Sequence, residues 1–150
     1  TKADLMVIGD KPDDIMVKNR RPFHGELEKL LEAMLKAIGF DKRNTYYTNL
    51  RCNPKKIDTN LDLELEIIKK QILIVEPKII IMFGAEATRL LTNNEDSIFK
   101  SRGHWYDINI DDNLEPVLGI SMFHPRYILA HPESKKETWK DLKEVRSKFT

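Results

Sequence analysis

Polar side chains stand directly after the apolar runs of this sequence, and their types suit an anionic substrate. His124 follows "GISMF", Asn49 follows "TYYT" and Asp10 follows "LMVIG". The same stretches carry further carboxylates and cations, namely Asp13, Asp14, Lys11, Arg51, Lys55, Lys56 and Arg126. A helix predicted to start after Gly84 adds backbone N–H groups. Helix N-termini and Lys/Arg side chains bind anions, so the mixture favours a phosphate-bearing substrate.

The pair His124-Pro125 is an unusual end for a buried strand. Gly, Asn or Asp would make the turn without special chemistry. The reason for a histidine at this point therefore depends on the other residues that share its edge of the sheet.

Strand and helix patterns alternate along the chain and position these residues. Short apolar or β-branched runs predict four strands, in "DLMVIGD", "NTYYTNL", "KIIIMF" and "EPVLGISMF". Helical spacing predicts helices from Glu26 to a Gly39 cap, from Leu61 to the breaker Pro77, after Gly84, and from about Glu133, where Trp139, Leu142 and Val145 share a face. This order predicts an α/β sandwich with a mainly parallel sheet, whose ligands gather beyond the carboxyl ends of the strands.

Composition limits the class of protein. The 150 residues fit one domain, 1–150, and 25 Lys+Arg against 24 Asp+Glu leave a net charge of +1, so any polyanion site must be a local patch. The single cysteine, Cys52, and the lack of a signal peptide or a long apolar run predict a soluble, cytoplasmic protein without membrane contact.

Common nucleotide and metal motifs are missing. The chain has neither G-x-G-x-x-G after its first strand nor G-x-x-x-x-G-K-[ST], and its histidines and cysteine lack zinc-site spacing. We therefore expect no metal.

Several blocks of the sequence resemble the uracil-DNA glycosylase superfamily, most closely its family 4. They are "LMVIGDKPDD", "RPFHGELEKLLEAML", "YYTNL", "EPKIIIMFGAEATRLL", "KSRGHWYDI" and "MFHPRYILAHPESKKETWKDLKEV", in the family's order. The resemblance implies a three-layer α/β/α sandwich and a monofunctional enzyme that flips uracil out of DNA and hydrolyses its glycosidic bond in base excision repair. It also implies uracil-containing DNA as partner, and we expect a monomer.

The resemblance assigns roles at the strand ends. Asp10 and His124 are the implied catalytic residues, with His124 donating to the oxygen O2 of the leaving uracil. Phe23 is the implied stacking platform, and Asn49 reads uracil because its NH₂ donates to O4 and its carbonyl accepts from N3–H, a pattern that cytosine reverses. Gly9, Pro12 and Met16 complete the implied uracil pocket. The implied DNA contacts are Gly84, Ala85, Lys55, Lys56, Pro125, Arg126 and Tyr127.

Structural alternatives remain open for these residues. Phe23 could be a core side chain, Asn49 a turn residue and His124 a structural histidine. The segment Tyr127-Ile128-Leu129 resembles a loop that enters DNA as an apolar wedge, but it could instead pack beneath the last helix. His131 is expected at the surface.

The sequence also departs from the family. Its first motif reads Gly9-Asp10-Lys11-Pro12-Asp13, in which the shorter Asp10 replaces the family's glutamate. Further on, Met16-Val17 replaces an acidic pair. Met16 stands where the family guards against thymine, and a flexible methionine is a poor guard. Family 4 carries a four-cysteine iron–sulfur cluster, and Cys52 alone cannot supply it, so we expect no cofactor.

Three functional hypotheses follow from these residues. The first is the DNA glycosylase. The second is a uracil- or DNA-binding module that keeps the fold but has lost efficient catalysis, as Met16-Val17 suggests. The third is an unrelated nucleotide-handling α/β protein.

Overall fold

A five-stranded sheet forms the centre of the protein. The computed structural model describes residues 2–10, 25–50 and 61–149. The strands are β1 (Leu5–Gly9), β2 (Thr45–Asn49), β3 (Ile79–Phe83), β4 (Trp105–Ile108) and β5 (Val117–Met122). The helices are α1 (Glu26–Ala37), α2 (Leu61–Val75), α3 (Ala85–Thr92), α4 (Ile98–Ser101), α5 (Pro125–Ala130) and α6 (Lys135–Ser147), with a 3₁₀ turn at Pro132–Ser134.

The strand order in the sheet is β2-β1-β3-β5-β4. The first four of these strands run parallel, and β4 pairs antiparallel with β5. The α/β prediction with a mainly parallel sheet is confirmed. The strand β4 was not predicted, because only four residues pair and they make an edge strand on which Asp107 is exposed and Ile108 is buried.

Alternate residues of the central strands enter two different cores. Leu5 and Val7 of β1 pack with α1, α5 and α6, whereas Met6 and Ile8 pack with α2 and α3. All five residues of β1 are buried, as expected for a parallel strand covered on both faces. The protein therefore has helices on both sides of the sheet.

The predicted helix ends are confirmed at two positions. After α1, the Gly39 amide donates to the Lys36 carbonyl and the Phe40 amide to the Leu35 carbonyl, which is a Schellman ending with Gly39 at a φ of 89°. Helix α2 ends at Val75, two residues before Pro77.

One predicted helical face is wrong in part. The buried residues of α6 are Thr138, Asp141, Leu142 and Val145, a stripe at spacings of three and four. Trp139 lies beside this stripe with 39% of its surface exposed, and the Lys143 ammonium sits 5.5 Å from its ring centroid. Its apolar ring is therefore partly covered by a neighbouring lysine and not by the core.

Three buried hydroxyls, one of them on β5, form a short chain that we call the hydroxyl chain behind β5. The Thr88 hydroxyl donates to the Gly84 carbonyl at 2.9 Å and also contacts the Ser121 hydroxyl at 2.7 Å. The Ser121 hydroxyl in turn lies 3.3 Å from that of Ser101. These contacts connect α4, β5 and α3.

Candidate active site

The carboxyl ends of four parallel strands meet at one edge of the sheet. Gly9 is paired with Asn49 on one side and with Phe83 on the other, and Phe83 is paired with Met122. Asp10 therefore emerges between Asn49 and Gly84, and His124 emerges two residues beyond Met122. Neighbouring strands lie about 4.8 Å apart, so Asn49 and His124 stand three strand spacings from each other.

Asp10 is held beneath the N-terminus of α3. Its Oδ1 accepts a hydrogen bond from the Ala87 amide at 2.8 Å, and its own amide donates to the Phe83 carbonyl at 3.2 Å. Burial raises the pKa of the Asp10 carboxyl from 3.8 to about 7, while the Ala87 hydrogen bond opposes this rise. Near neutral pH, Asp10 can therefore either hold or accept a proton.

Gly84 makes room for the Asp10 carboxylate. A Cβ placed on Gly84 would lie 2.7 Å or less from both carboxylate oxygens. The φ of Gly84 is 106°, and this backbone conformation is one that residues with a side chain rarely adopt. Its amide donates to the Met122 carbonyl, so this N–H belongs to the backbone hydrogen bonds between the β3 and β5 ends.

His124 is fixed in one tautomer by the backbone that follows it. Its Nδ1 accepts a hydrogen bond from the Arg126 amide at 3.0 Å, as the N-cap of α5. Burial lowers the pKa of His124 from 6.5 to about 3, and the positive charge of Arg126 acts in the same direction. The ring is therefore neutral at working pH, and with Nδ1 as acceptor its hydrogen is on Nε2.

Asn49 has a buried amide group with unused hydrogen-bonding capacity. Neither its Oδ1 nor its Nδ2 has a hydrogen-bond partner among the described residues, and both atoms are shielded from solvent. A buried amide without partners costs roughly 1–3 kcal/mol. Such a cost is expected where a ligand supplies the missing donor and acceptor.

Comparison with known proteins decides the family. The family model of the "Uracil DNA glycosylase superfamily" matches residues 1–143. Three relatives named type-4 uracil-DNA glycosylase match nearly the whole chain. The protein of Sulfurisphaera tokodaii is 31% identical over 97% of this chain and 70% of its own length. Those of Archaeoglobus fulgidus and Saccharolobus solfataricus are 27% and 30% identical, over 96% and 97% of this chain and 76% and 71% of their own lengths.

The chain belongs to the uracil-DNA glycosylase superfamily. The resemblance predicted from its sequence blocks is thereby confirmed, including the likeness to family 4.

The segment of this superfamily member that was expected to enter DNA as a loop is largely helical. Pro125 and Ile128 are buried, and Pro125 occupies the first turn of α5, where its missing N–H is not needed. Tyr127 is half-buried and stacks on Phe123, and Leu129 is exposed. Since Ile128 packs in the core beside α6, the alternative of packing applies to this residue.

Five residues of the predicted site lie outside the described residues. They are Pro12, Met16, Phe23, Lys55 and Lys56. Their roles therefore remain predictions, as does the shape of the pocket wall around position 16.

The amide of Ala87 is the partner that sequence reasoning did not identify. It is the third residue of α3, and the N-cap of that helix is Gly84, which has no side chain to cap it. A glycine N-cap followed by Ala85-Glu86-Ala87 leaves the first amides needing an acceptor from elsewhere. Part of the anion-binding capacity expected at Gly84 and Ala85 is thus used by Asp10.

The residues present do not fit the iron–sulfur cluster that likeness to family 4 implies. The sequence contains a single cysteine, Cys52, and so cannot supply four thiolates. Within residues 2–10, 25–50 and 61–149, no group of three or more His, Cys, Asp or Glu side chains could hold a metal ion. In the same residues, no helix is long and apolar enough to cross a membrane.

Proposed function

We propose that this chain is a monofunctional DNA glycosylase that removes uracil from DNA by hydrolysis. The observation that carries the proposal is the buried amide of Asn49, which has no hydrogen-bond partner among the described residues and lies at the same sheet edge as Asp10 and His124. The superfamily membership and the names of the relatives support the same reaction.

Asn49 selects the base. Its Nδ2 donates to uracil O4 and its Oδ1 accepts from N3–H, so one amide satisfies both its own atoms and the base. Cytosine presents a donor at C4 and an acceptor at N3, which would leave both contacts repulsive. The cost of the unsatisfied amide is thereby recovered with uracil and not with cytosine.

His124 stabilises the leaving group. When the bond between C1′ and N1 breaks, its electron pair goes to the base and negative charge develops on O2. The Nε2–H of a neutral imidazole donates to that oxygen in the manner of an oxyanion hole. Because burial and Arg126 hold the pKa of His124 at about 3, the ring is ready without first losing a proton.

Asp10 serves the opposite side of the reaction. Its carboxylate stabilises the positive charge that develops on the sugar and accepts the proton of the water whose oxygen bonds to C1′. The products are free uracil and an abasic site in the DNA. An acid with a pKa raised to about 7 is a suitable base near neutral pH, and the hydrogen bond from Ala87 fixes its orientation.

All three groups come from a single chain, and we take the monomer to be the active unit. DNA binds across the same edge, where Arg126 and Tyr127 of α5 are partly accessible. Pro125 acts by starting α5 and so placing these two residues.

The proposal is tested with a labelled oligonucleotide that contains one deoxyuridine. The wild-type chain should produce an alkali-labile abasic site in a single-turnover reaction, and Asn49→Ala should lower the rate while Asn109→Ala, an exposed asparagine on the loop after β4, should not. Retarded migration of the oligonucleotide in a gel, without cleavage, would favour the inactive binding module. An unchanged rate in Asn49→Ala would remove Asn49 from the site.

A further inference from the structure

Four aromatic rings form a ladder from the residue before His124 to the protein surface. Tyr127 stacks on Phe123 with ring centroids 4.7 Å apart and on His131 at 4.3 Å, both at 27° between planes. Phe99 of α4 contacts Phe123 at 5.6 Å and Tyr127 at 5.7 Å, edge to face. We call Phe99, Phe123, Tyr127 and His131 the aromatic ladder.

The outer end of the aromatic ladder is open to solvent. Phe123 is buried, but Phe99 keeps 62% of its surface exposed, and His131 is exposed too. An exposed phenylalanine held by two other rings contributes little to a core. It does present a preorganised aromatic surface beside the candidate active site.

The charges near the two exposed rings of the aromatic ladder, Phe99 and His131, differ. Lys100 follows Phe99 in the chain, and the positive charge of Arg126, the residue before Tyr127, acts on His124. Beside His131, the Glu133 carboxylate lies 3.4 Å from the ring Nδ1. A nucleic acid strand would therefore pass beside Phe99 and not beside His131, because lysine and arginine can contact its phosphates there.

We propose that Phe99, held edge to face by Phe123 and Tyr127, is a stacking platform for an unpaired base next to the flipped uracil, and that it strengthens the binding of single-stranded but not of duplex DNA. The inference rests on the proposed function, because Phe99 contacts Phe123, and Phe123 directly precedes the proposed catalytic residue His124. Bases of single strands stack on aromatic side chains regardless of sequence. A base in a duplex stays paired with the opposite strand, and this pairing keeps it in the helix and away from the platform.

The first experiment measures equilibrium binding of single-stranded and duplex oligonucleotides that carry 2′-fluoro-deoxyuridine, whose glycosidic bond resists hydrolysis. Phe99→Ala should weaken single-strand binding by about 5- to 150-fold and leave duplex binding nearly unchanged. Phe99→Tyr keeps the ring and should bind like wild type. Ile74→Ala is the matched control, because Ile74 is 63% exposed and lies on α2, on the other side of the sheet.

The second experiment removes the base instead of the side chain. An abasic spacer beside the uracil, on one side of it, should cost the wild type as much single-strand affinity as Phe99→Ala does, with no additional cost when both changes are combined. Equal losses on single strands and duplexes, no loss on either, or additive losses with the spacer on either side would overturn the inference.

The two proposals fail separately in these experiments. If the wild type excises no uracil from any DNA but the spacer and Phe99→Ala still share one loss, the enzyme assignment is wrong and the platform stands. If uracil is excised but Phe99→Ala binds single strands as wild type does, only the platform is wrong.

Discussion

The Asp10 carboxylate accepts a hydrogen bond from the Ala87 amide, 77 residues away along the chain, at a distance of 2.8 Å. One interaction thus caps α3, orients the proposed catalytic base and joins the end of β1 to α3. The charge state of Asp10 should consequently affect both activity and stability.

The first prediction concerns the pH dependence of the rate. Because the pKa of Asp10 is raised to about 7 and only the carboxylate acts as base, the single-turnover rate should rise with pH through about 7 and then level off. His124, with its pKa lowered to about 3, should add no second limb in this range. In Asp10→Asn, the residual rate should not vary with pH. A wild-type profile with no inflection near 7 would argue against Asp10 as the base.

The second prediction concerns the pH dependence of folding. The folded-state pKa of Asp10 lies above its unfolded value, so the folded protein binds the proton more tightly and the free energy of unfolding should fall as pH rises from about 4 to 7. Above pH 7, the ionised Asp10 should lower the free energy of unfolding by up to about 4 kcal/mol relative to its value at about pH 4. Urea unfolding at about pH 5 and about pH 8 should therefore show a smaller difference for Asp10→Asn than for wild type. Equal differences in the two proteins would mean that Asp10 does not titrate in this range.

The third prediction concerns Gly84. Its substitution by Ala combines an unfavourable φ with a collision against the Asp10 carboxylate, and should cost roughly 3–5 kcal/mol of unfolding free energy. Gly39→Ala is the control, because Gly39 also has a positive φ but nothing lies within 4 Å of its added Cβ, so about 1–2 kcal/mol is expected. In an Asp10→Ala background, the cost of Gly84→Ala should fall. Equal costs in both backgrounds would show that the carboxylate is not the obstacle.

The fourth prediction separates two roles of His124. His124→Ala should lower the single-turnover rate about 10²–10³-fold through loss of the donor, and also destabilise the protein by about 0.5–2 kcal/mol through loss of the α5 cap. His124→Asn keeps an acceptor for the Arg126 amide. It should therefore lose the rate without losing the stability. A variant His124→Asn with wild-type activity would make the histidine structural.

The fifth prediction concerns Asn49. Replacement by Leu removes two buried polar atoms that have no partner among the described residues, and should raise the free energy of unfolding by about 1–2 kcal/mol while abolishing uracil excision. Thermal unfolding and the deoxyuridine assay on the same preparation measure the two effects. If Asn49→Leu is instead destabilising, the amide is satisfied within the folded protein and its assigned role is wrong.

Local patterns predicted most of the framework. Strand β1 is continuously apolar and ends at Gly9, and helix α1 has apolar residues at spacings of three and four before Gly39. These signals depend only on residues a few positions apart in the chain. The general rule that ligands bind beyond the carboxyl ends of parallel strands then gave the location of the site. Hence Asn49, Asp10 and His124 could be assigned to one edge from sequence.

Interactions between distant residues could not be predicted in this way. Nothing near Asp10 in the chain indicates that Ala87 will cap it, and the pKa of about 7 depends on burial by other elements. Trp139 has the spacing of a core residue relative to Leu142, but the α6 stripe passes through Thr138 instead. Edge strand β4 is too short for its own pattern to distinguish it from a loop, and it exists because β5 offers it a partner.

The hydroxyl chain behind β5 has only one consistent direction. Since Thr88 gives its hydrogen to the Gly84 carbonyl, Ser121 must give its hydrogen to Thr88, and Ser101 must give its hydrogen to Ser121. Ser101→Ala should therefore be tolerated better than Ser121→Ala. The first removes one donor and leaves every remaining hydroxyl hydrogen with an acceptor. The second removes both the acceptor of the Ser101 hydrogen and the donor to the Thr88 oxygen. The three hydroxyls are chemically alike, yet their order makes them unequal as positions for engineering this enzyme.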